Sequence, residues 1–199
     1  MDTNQAEIEI SVIKKIMEDS RKVAVVNGKH YIMWGLLVAF ALFANYVMVL
    51  KDVHVNYQGL MWFILMIGGA IAGTIMEKME NKKRVARTFA GKLLGTLWFA
   101  SGISMFMFGF LGTVTKAYDP LFICPIIFTT LGVSYFTSGA IQQTRWFQYI
   151  SFGWWLGAVF LFIFPGIHTF LVAAIMLLCL QTLPGIILYK KWKKAIDNL

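Results

Sequence analysis

The apolar and polar residues of this chain are segregated along its length, with six long apolar runs between Tyr31 and Tyr189. None of these runs has an acidic or basic residue in its middle. A helix that crosses about 30 Å of hydrocarbon needs roughly 20 successive apolar residues, which a water-soluble core does not require. Six membrane-spanning helices are therefore predicted. Their predicted limits are Tyr31–Leu50, Gly59–Met76, Leu93–Gly112, Pro120–Ala140, Phe147–Phe164 and Ile167–Tyr189.

The segment before the first span is polar and mixed in charge, but it contains an apolar stripe. Ile8, Val12, Ile16 and Met17 recur at helical spacing. The pattern predicts a cytoplasmic amphipathic helix within residues 1–29, which lies on the membrane, beneath the bundle or on a partner. Residues 6–26 are the predicted contact with a second copy of the chain or with a cytoplasmic protein.

Composition agrees with residence in a membrane. Of the 199 residues, 58% are hydrophobic and only 14% are charged, whereas a soluble domain carries about 25% charged residues. Because the spans use most of the chain, a separate soluble catalytic domain is excluded. The predicted fold is an all-α polytopic membrane protein, in which residues 30–189 form one bundle and residues 190–199 a basic tail.

The segments that connect the predicted spans lie alternately on the two sides of the membrane. Lysine and arginine are distributed unequally between these two sides. Five precede the first span, six lie between the second and third, one lies between the fourth and fifth, and four follow the sixth. The other side has only Lys51 and Lys116. Positive residues stay on the cytoplasmic side, so both termini are predicted to be cytoplasmic, in the inner membrane of a bacterium.

The formal net charge of +8 could indicate a nucleic-acid partner. A duplex footprint needs a broad basic surface, whereas these basic residues are confined to short segments beside the spans. Such segments lie next to anionic lipid. The predicted partner is therefore the lipid bilayer and not nucleic acid.

A threefold repeat is suggested by the spacing of the odd-numbered spans, which begin near residues 31, 91 and 149. Residues 31–35 (YIMWG) are similar to residues 149–153 (YISFG). Three helical hairpins are the prediction, and the alternative is that apolar helices look alike. In this layout, and in glycine spacing such as that of residues 153–157 (GWWLG), residues 31–189 resemble the HdeD-type acid-resistance membrane proteins. The resemblance implies six spans as three glycine-rich hairpins and a link to stress tolerance, and it assigns no functional residue.

Glycines recur at the spacing by which helices pack in lipid, where close backbone approach replaces the hydrophobic effect. Packing inside one bundle is the favoured interpretation, and a homodimer face is the alternative. The predicted packing residues are Gly69 and Gly73 in the second span, Gly95, Gly102 and Gly109 in the third, and Gly153 and Gly157 in the fifth.

Uncharged polar residues within the spans are the candidate ligand-binding residues. In the fourth span Thr130, Ser134 and Ser138 share one helix face, where they line a polar path or bond the carbonyls four residues earlier. In the sixth span Gln181 and Thr182 precede Pro184.

A proline inside a helix leaves the carbonyl four residues earlier, here that of Leu180, without its usual partner. Membrane binding sites are often built at such interruptions, although the kink can also be satisfied locally. Asn45 and Tyr46, near the outer end of the first span, are a further candidate site.

No metal, cofactor or catalytic site is predicted. His30, His54 and His168 show no metal-ligand spacing. The segments 99–102 (FASG) and 136–139 (FTSG) lack the first glycine of a serine-protease GxSG motif, and a base cannot reach either serine. The chain is therefore predicted not to be an enzyme.

Two functional classes remain. The first is a non-enzymatic, stress-associated membrane protein that acts by association with itself or a partner at its cytoplasmic face. The alternative is a small channel or facilitator for a neutral solute, with Thr130, Ser134 and Gln181 along its path. The absence of charge at membrane depth argues against proton coupling, which usually depends on such residues.

Overall fold

A computed structural model of the chain describes residues 5, 7–12, 14, 28–81 and 89–197. Six of its helices are long and apolar enough to cross a membrane, which confirms the predicted number. The helices are α1 (Lys29–Leu50), α2 (Val55–Asn81), α3 (Phe89–Val114), α4 (Ile123–Ile141), α5 (Arg145–Ile163) and α6 (His168–Lys194).

Several helix ends follow from local chemistry. The Asp119 carboxylate accepts a hydrogen bond of 2.9 Å from the Leu121 amide, and Pro120 begins a 3₁₀ turn that leads into α4. This is a common N-cap arrangement. Between α5 and α6, the Gly166 amide donates to the Thr169 hydroxyl at 3.3 Å. The turn after Pro165 therefore has its own polar partner within the next helix.

Helix packing is dominated by two pairs. α4 packs most extensively on α5, and α1 packs along α6. α1 also packs on α2, and α3 packs on α4, whereas α5 and α6 meet at few positions. The most extensive contact thus joins helices that the repeat assigns to different hairpins, and the arrangement as three hairpins stays a prediction.

α1 and α6 approach closely because glycines lie where their backbones cross. A Cβ atom on Gly185 would be 2.9 Å from the Ile32 nitrogen, and one on Gly35 would meet the Thr182 side chain. Gly28, at the start of α1, has a φ of 67° and packs against the Gly185 carbonyl. The left-handed conformation and the tight contact both favour glycine at that position.

The interior of the bundle is aromatic. Tyr135 and Trp154 are completely buried, and the Phe128 and Trp154 rings meet edge to face at 4.8 Å between centroids. By contrast, only 6% of the apolar membrane-spanning stretch of α2 and 11% of that of α3 are buried inside the bundle. The core therefore lies among α1, α4, α5 and α6, and most of α2 and α3 faces outward.

Two helices contain a π-turn. In α6 the turn spans Leu178–Thr182, and the Leu183 amide bonds the Leu178 carbonyl, five residues back. It lies directly before Pro184, where the sequence predicts an interruption. In α3 the π-turn spans Met107–Leu111, and the Tyr118 hydroxyl donates to the Phe108 carbonyl within it. Burial raises the pKa of Tyr118, which favours the protonated, donating form.

The crossing of α1 and α6 can be tested with one pair of substitutions. Alanine favours a helix over glycine by about 1 kcal/mol, so Gly102→Ala in α3, where no described atom lies within 4 Å of the added Cβ, should be neutral or stabilising. Gly185→Ala should destabilise by about 1–2 kcal/mol because overpacking outweighs helix propensity. Thermal unfolding in detergent measures both, and equal melting temperatures would contradict the close crossing of α1 and α6.

Candidate functional site

The polar face of α4 is longer than the sequence pattern indicates. Ser134, Ser138 and Gln142 lie at intervals of four residues, and all three are buried. Thr130, one turn earlier, is half-buried. At a rise of 1.5 Å per residue, the series from Thr130 to Gln142 covers about 18 Å of helix. An uncharged polar stripe thus extends over more than half of the hydrocarbon thickness.

A pair of buried hydroxyl groups joins this stripe to α3. The oxygens of Ser101 and Ser134 are 2.7 Å apart, and the Ser134 hydroxyl also donates to the Thr130 carbonyl at 2.7 Å. Because a serine hydroxyl has one proton, the bond between the two serines uses the proton of Ser101. Ser134 therefore both bonds the carbonyl four residues earlier and takes part in the polar stripe, so the two interpretations of the hydroxyls coexist.

Further along the stripe, Ser138 and Gln142 lie near the polar atoms of two aromatic side chains, Tyr31 of α1 and Trp98 of α3. With Trp98, they surround the Tyr31 hydroxyl. The Tyr31 ring centroid is 5.5 Å from that of Trp98 and 5.7 Å from that of Tyr135. We call Tyr31, Trp98, Tyr135, Ser138 and Gln142 the polar cluster. It is formed by α1, α3 and α4.

Four atoms of the polar cluster are buried and make no hydrogen bond of good geometry among the described residues, and the nearest polar group to three of them, on Trp98, Ser138 and Gln142, is the single Tyr31 hydroxyl that they surround. They are the Trp98 Nε1, the Tyr135 hydroxyl, the Ser138 Oγ and the Gln142 Nε2. Each such atom costs about 1–3 kcal/mol, and buried polar side chains with no partner are uncommon. Trp98 and Gln142 offer N–H donors, and the two hydroxyls can donate or accept. The cluster therefore gathers hydrogen-bond donors and hydroxyl groups from three helices in the interior of the bundle.

Aromatic rings enclose the polar cluster. Phe147 of α5 stacks on Tyr135 at 4.9 Å and meets Tyr31 edge to face at 5.4 Å. No group of three or more histidine, cysteine, aspartate or glutamate side chains suited to a metal occurs within the described ranges. The site offers neutral hydrogen bonds and ring surfaces, which fit an uncharged polar ligand.

The structure separates the candidate residues that the sequence suggests. The Asn45 carbonyl oxygen accepts a hydrogen bond of 3.3 Å from the Trp62 Nε1, which joins α1 to α2. Tyr46 lies beside His168, with 6.4 Å between ring centroids. Gln181 and Thr182 are buried at the crossing with Gly35, and the Thr182 hydroxyl has no described partner.

Only Thr130 and Ser134 of the six candidates therefore belong to the stripe that leads to the polar cluster. Thr130 also lines an open groove of about 450 Å³ among α3, α4 and α5. The residues lining the groove are Ser104, Phe108, Thr129, Thr130, Val133 and Trp155.

The polar groups of this groove have partners within the bundle. The Thr129 hydroxyl donates to the Ile126 carbonyl at 2.6 Å, and the Trp155 Nε1 donates to the Thr129 carbonyl at 3.3 Å. The Ser104 hydroxyl donates to the Ala100 carbonyl at 3.1 Å. The groove therefore differs from the polar cluster, whose donors have no partner.

The predicted packing glycines fall into two groups. Gly69 and Gly73 pack against α1, and Gly153 and Gly157 pack against α6. The three predicted packing glycines in α3 have no described atom within 4 Å of an added Cβ. These three are Gly95, Gly102 and Gly109. Glycine spacing alone identifies a helix face, and it does not tell whether another helix lies against that face.

Sequence reasoning missed most of the polar cluster. Gln142 lies beyond Ala140, the predicted end of the fourth span, so it was assigned to a loop. It nevertheless continues the interval of four residues that begins at Thr130, and that was the available signal. Tyr31 and Trp98 were treated only as parts of apolar runs, since no sequence pattern indicates that they face the same helix.

The six apolar helices define a class, that of helical multi-span membrane proteins. No protein-family model, curated protein or solved structure matches the chain. The resemblance to HdeD-type proteins therefore stays a prediction, and the site has to be interpreted from its own chemistry.

A substitution at Gln142 tests whether its amide is unpaired. Gln142→Leu removes a buried donor and keeps most of the side-chain volume, so it should stabilise the protein by about 1–3 kcal/mol. The neighbouring Gln143 is exposed, and Gln143→Leu should change stability by less than about 0.5 kcal/mol. Thermal unfolding of the two variants in detergent makes the comparison. A loss of stability in Gln142→Leu alone would mean that the amide is satisfied in the folded protein.

Proposed function

We propose that this protein binds a small, neutral, hydrogen-bonding solute inside its helical bundle and acts as a facilitator for that solute. The observation that carries the proposal is the group of four buried, unpaired polar atoms in the polar cluster. A fold that leaves several such atoms together bears a cost of several kcal/mol. A ligand that accepts hydrogen bonds would offset that cost.

The composition of the polar stripe favours a neutral solute. Thr130, Ser134, Ser138 and Gln142 carry no charge, and an ion would have to lose its hydration without a counter-charge. Beside the stripe, the buried Phe128 and Trp154 rings meet edge to face, and the Trp154 ring also lies 5.8 Å from that of Tyr135 between centroids. These rings fill the interior next to the stripe, so passage of a solute requires them to move.

We place the protein in the inner membrane of a bacterium, with both termini in the cytoplasm. The support for this placement is the distribution of basic residues, of which only Lys51 and Lys116 lie on the other side. In that orientation the polar cluster lies near the cytoplasmic end of the bundle. The solute then enters or leaves the cluster from the cytoplasm.

Uptake into liposomes tests the facilitator. Purified protein is reconstituted, and entry of uncharged solutes such as glycerol and urea is followed by light scattering after osmotic shock. Gln142→Leu and Ser138→Ala should each slow uptake about tenfold, which corresponds to about 1.4 kcal/mol of lost interaction. The matched control Gln143→Leu should leave uptake unchanged.

Two results would redirect the proposal. If Gln181→Leu stops uptake and Gln142→Leu does not, the path runs beside α6, as the proline motif suggests. No uptake above that of protein-free liposomes across the whole panel would rule out a facilitator for small neutral solutes.

A second function is supported by the described part of the N-terminal segment. Residues 7–12 are helical, and Ile8, Ile10 and Val12 are 60%, 58% and 49% exposed. The bundle does not cover these apolar side chains, so membrane or partner binding remains the proposed role of residues 6–26. Ile16 and Met17, which complete the predicted stripe, lie outside the described residues. A non-enzymatic, stress-associated protein of the HdeD type would act through this cytoplasmic segment.

The association hypothesis is tested with charge substitutions in the helix. The double variant Ile8→Asp and Val12→Asp should abolish self-association or partner capture, because it places charges in the apolar stripe. Ser11→Asp adds one charge at an exposed position beside it and should preserve binding. Light scattering measures the oligomeric mass, and an unchanged melting temperature shows that the bundle is intact. Equal behaviour of the two variants would reject the stripe as the contact.

A further inference from the structure

In addition to the groove beside Thr130, a second open groove lies on the side of α1 opposite the polar cluster. It is a groove of about 300 Å³ among α1, α2 and α6. Its lining residues are Lys29, Ile32, Met33, Met76 and Tyr189. Most of the lining is apolar, and Lys29 is the one charged residue among the five. The groove therefore combines an apolar floor with a cation at one end.

The groove arises because α2 diverges from α1 towards its C-terminal end. At Gly69, an added Cβ would be 2.9 Å from the Trp34 ring. One turn later, at Gly73, the nearest atom is the Met33 Cε at 3.6 Å. Met76 follows and already lines the groove. The two helices are thus in tight contact at Gly69 and in looser, ordinary van der Waals contact at Gly73, and the groove begins beyond it at Met76.

Aromatic rings position the Lys29 ammonium at the mouth of the groove. Its Nζ lies 5.9 Å from the Tyr189 ring centroid and 5.4 Å from that of Trp192. The two rings stack on each other at 5.9 Å with 24° between their planes. Cation–π attraction acts within about 6 Å, so both rings hold the ammonium near the groove. Tyrosine and tryptophan are also favoured at the level of lipid headgroups.

The segments around the groove are basic. Lys78 at the end of α2 and Lys190 and Lys193 in α6 are exposed. Glu77, between Met76 and Lys78, is also exposed, so three lysines stand against one carboxylate among these exposed residues. A negatively charged group at the mouth of the groove would therefore meet a favourable field, and a phosphate group fits this charge.

We propose that this groove binds one anionic phospholipid. The phosphate lies against Lys29, and one acyl chain follows Ile32, Met33 and Met76 into the groove. The apolar floor favours a lipid over a soluble phosphate, because only the lipid brings a chain to cover it. Methionine side chains adapt their shape to a flexible chain. This site is independent of the polar cluster and of any solute that binds there.

The test compares lipids that differ only in headgroup charge. The full-length protein in detergent is titrated with phosphatidylglycerol or with phosphatidylcholine of the same chains, and retained lipid is counted by native mass spectrometry. Each basic residue near a membrane surface contributes about 1 kcal/mol. We expect roughly fivefold tighter binding of phosphatidylglycerol and the loss of this preference in Lys29→Gln. Lys29→Arg should keep the preference, since it keeps the charge.

Lys51→Gln is the matched control, because Lys51 follows the other end of α1 and is exposed. It should keep the fivefold preference. Equal binding of the two lipids, or an equal loss of preference in Lys29→Gln and Lys51→Gln, would overturn the proposal. The melting temperature of each variant is measured in parallel, so that an unfolded protein is not mistaken for one that has lost the site.

Two further experiments distinguish the binding of a phospholipid from the binding of a small anion. Met76→Trp fills the groove and leaves Lys29 in place, so it should reduce the binding of both lipids. Glycerol phosphate, which has the headgroup charge and no acyl chain, should fail to displace phosphatidylglycerol at millimolar concentration. Complete displacement by glycerol phosphate, or unchanged lipid binding in Met76→Trp, would show that the groove does not bind a chain.

Discussion

Hydrocarbon offers no hydrogen bonds, and the rest of this structure depends on that constraint. Every polar group inside the bundle must find a partner in the protein or bear the full cost of burial. Most do find one: Asn45 pairs with Trp62, Ser101 with Ser134, and Thr129 and Thr130 with the Ile126 carbonyl.

Six buried polar side-chain atoms of the described residues have no such partner, and four of the six belong to the polar cluster, the other two being the Trp154 Nε1 and the Thr182 hydroxyl. The four lie together among three helices, which distinguishes them from isolated packing errors. A purely structural core could place apolar side chains at Ser138 and Gln142 with no loss of packing. The concentration of the cost in one place is the reason for assigning function there.

The same constraint explains how the helices pack. Without a hydrophobic drive between helices in lipid, close contact depends on small residues. Gly28, Gly35 and Gly185 let α1 approach α6, while Gly69 lets α2 approach α1. The π-turn before Pro184 adjusts α6 directly beside this crossing, where Gln181 and Thr182 are buried. Backbone irregularity and close packing thus coincide in α6.

The number and approximate limits of the helices could be predicted because they depend only on a count of uncharged residues along the chain. Partners between helices could not be predicted in this way. Gly69 and Gly102 have similar sequence surroundings, yet one packs against Trp34 and the other has no described neighbour.

The candidate site was predictable only in part. Ser134 and Ser138 were found from their spacing, whereas Gln142 directly follows the last residue of α4 and so lies outside a span limit drawn from apolar residues. Tyr31 and Trp98 join the site through the packing of helices far apart in sequence, for which no local pattern exists. Gln181 and Asn45 are buried, but they lie in other interfaces.

The pairing of α1 with α6 also has a consequence for biogenesis. A ribosome delivers α1 to the membrane before α6, so α1 must wait in lipid for its partner while α2, α3, α4 and α5 are synthesised. During that time the face that contains Gly35 is in contact with acyl chains. A chain truncated before α6 keeps this face uncovered, and cellular quality control can recognise it as incomplete. Closure of the bundle is therefore coupled to the arrival of α6.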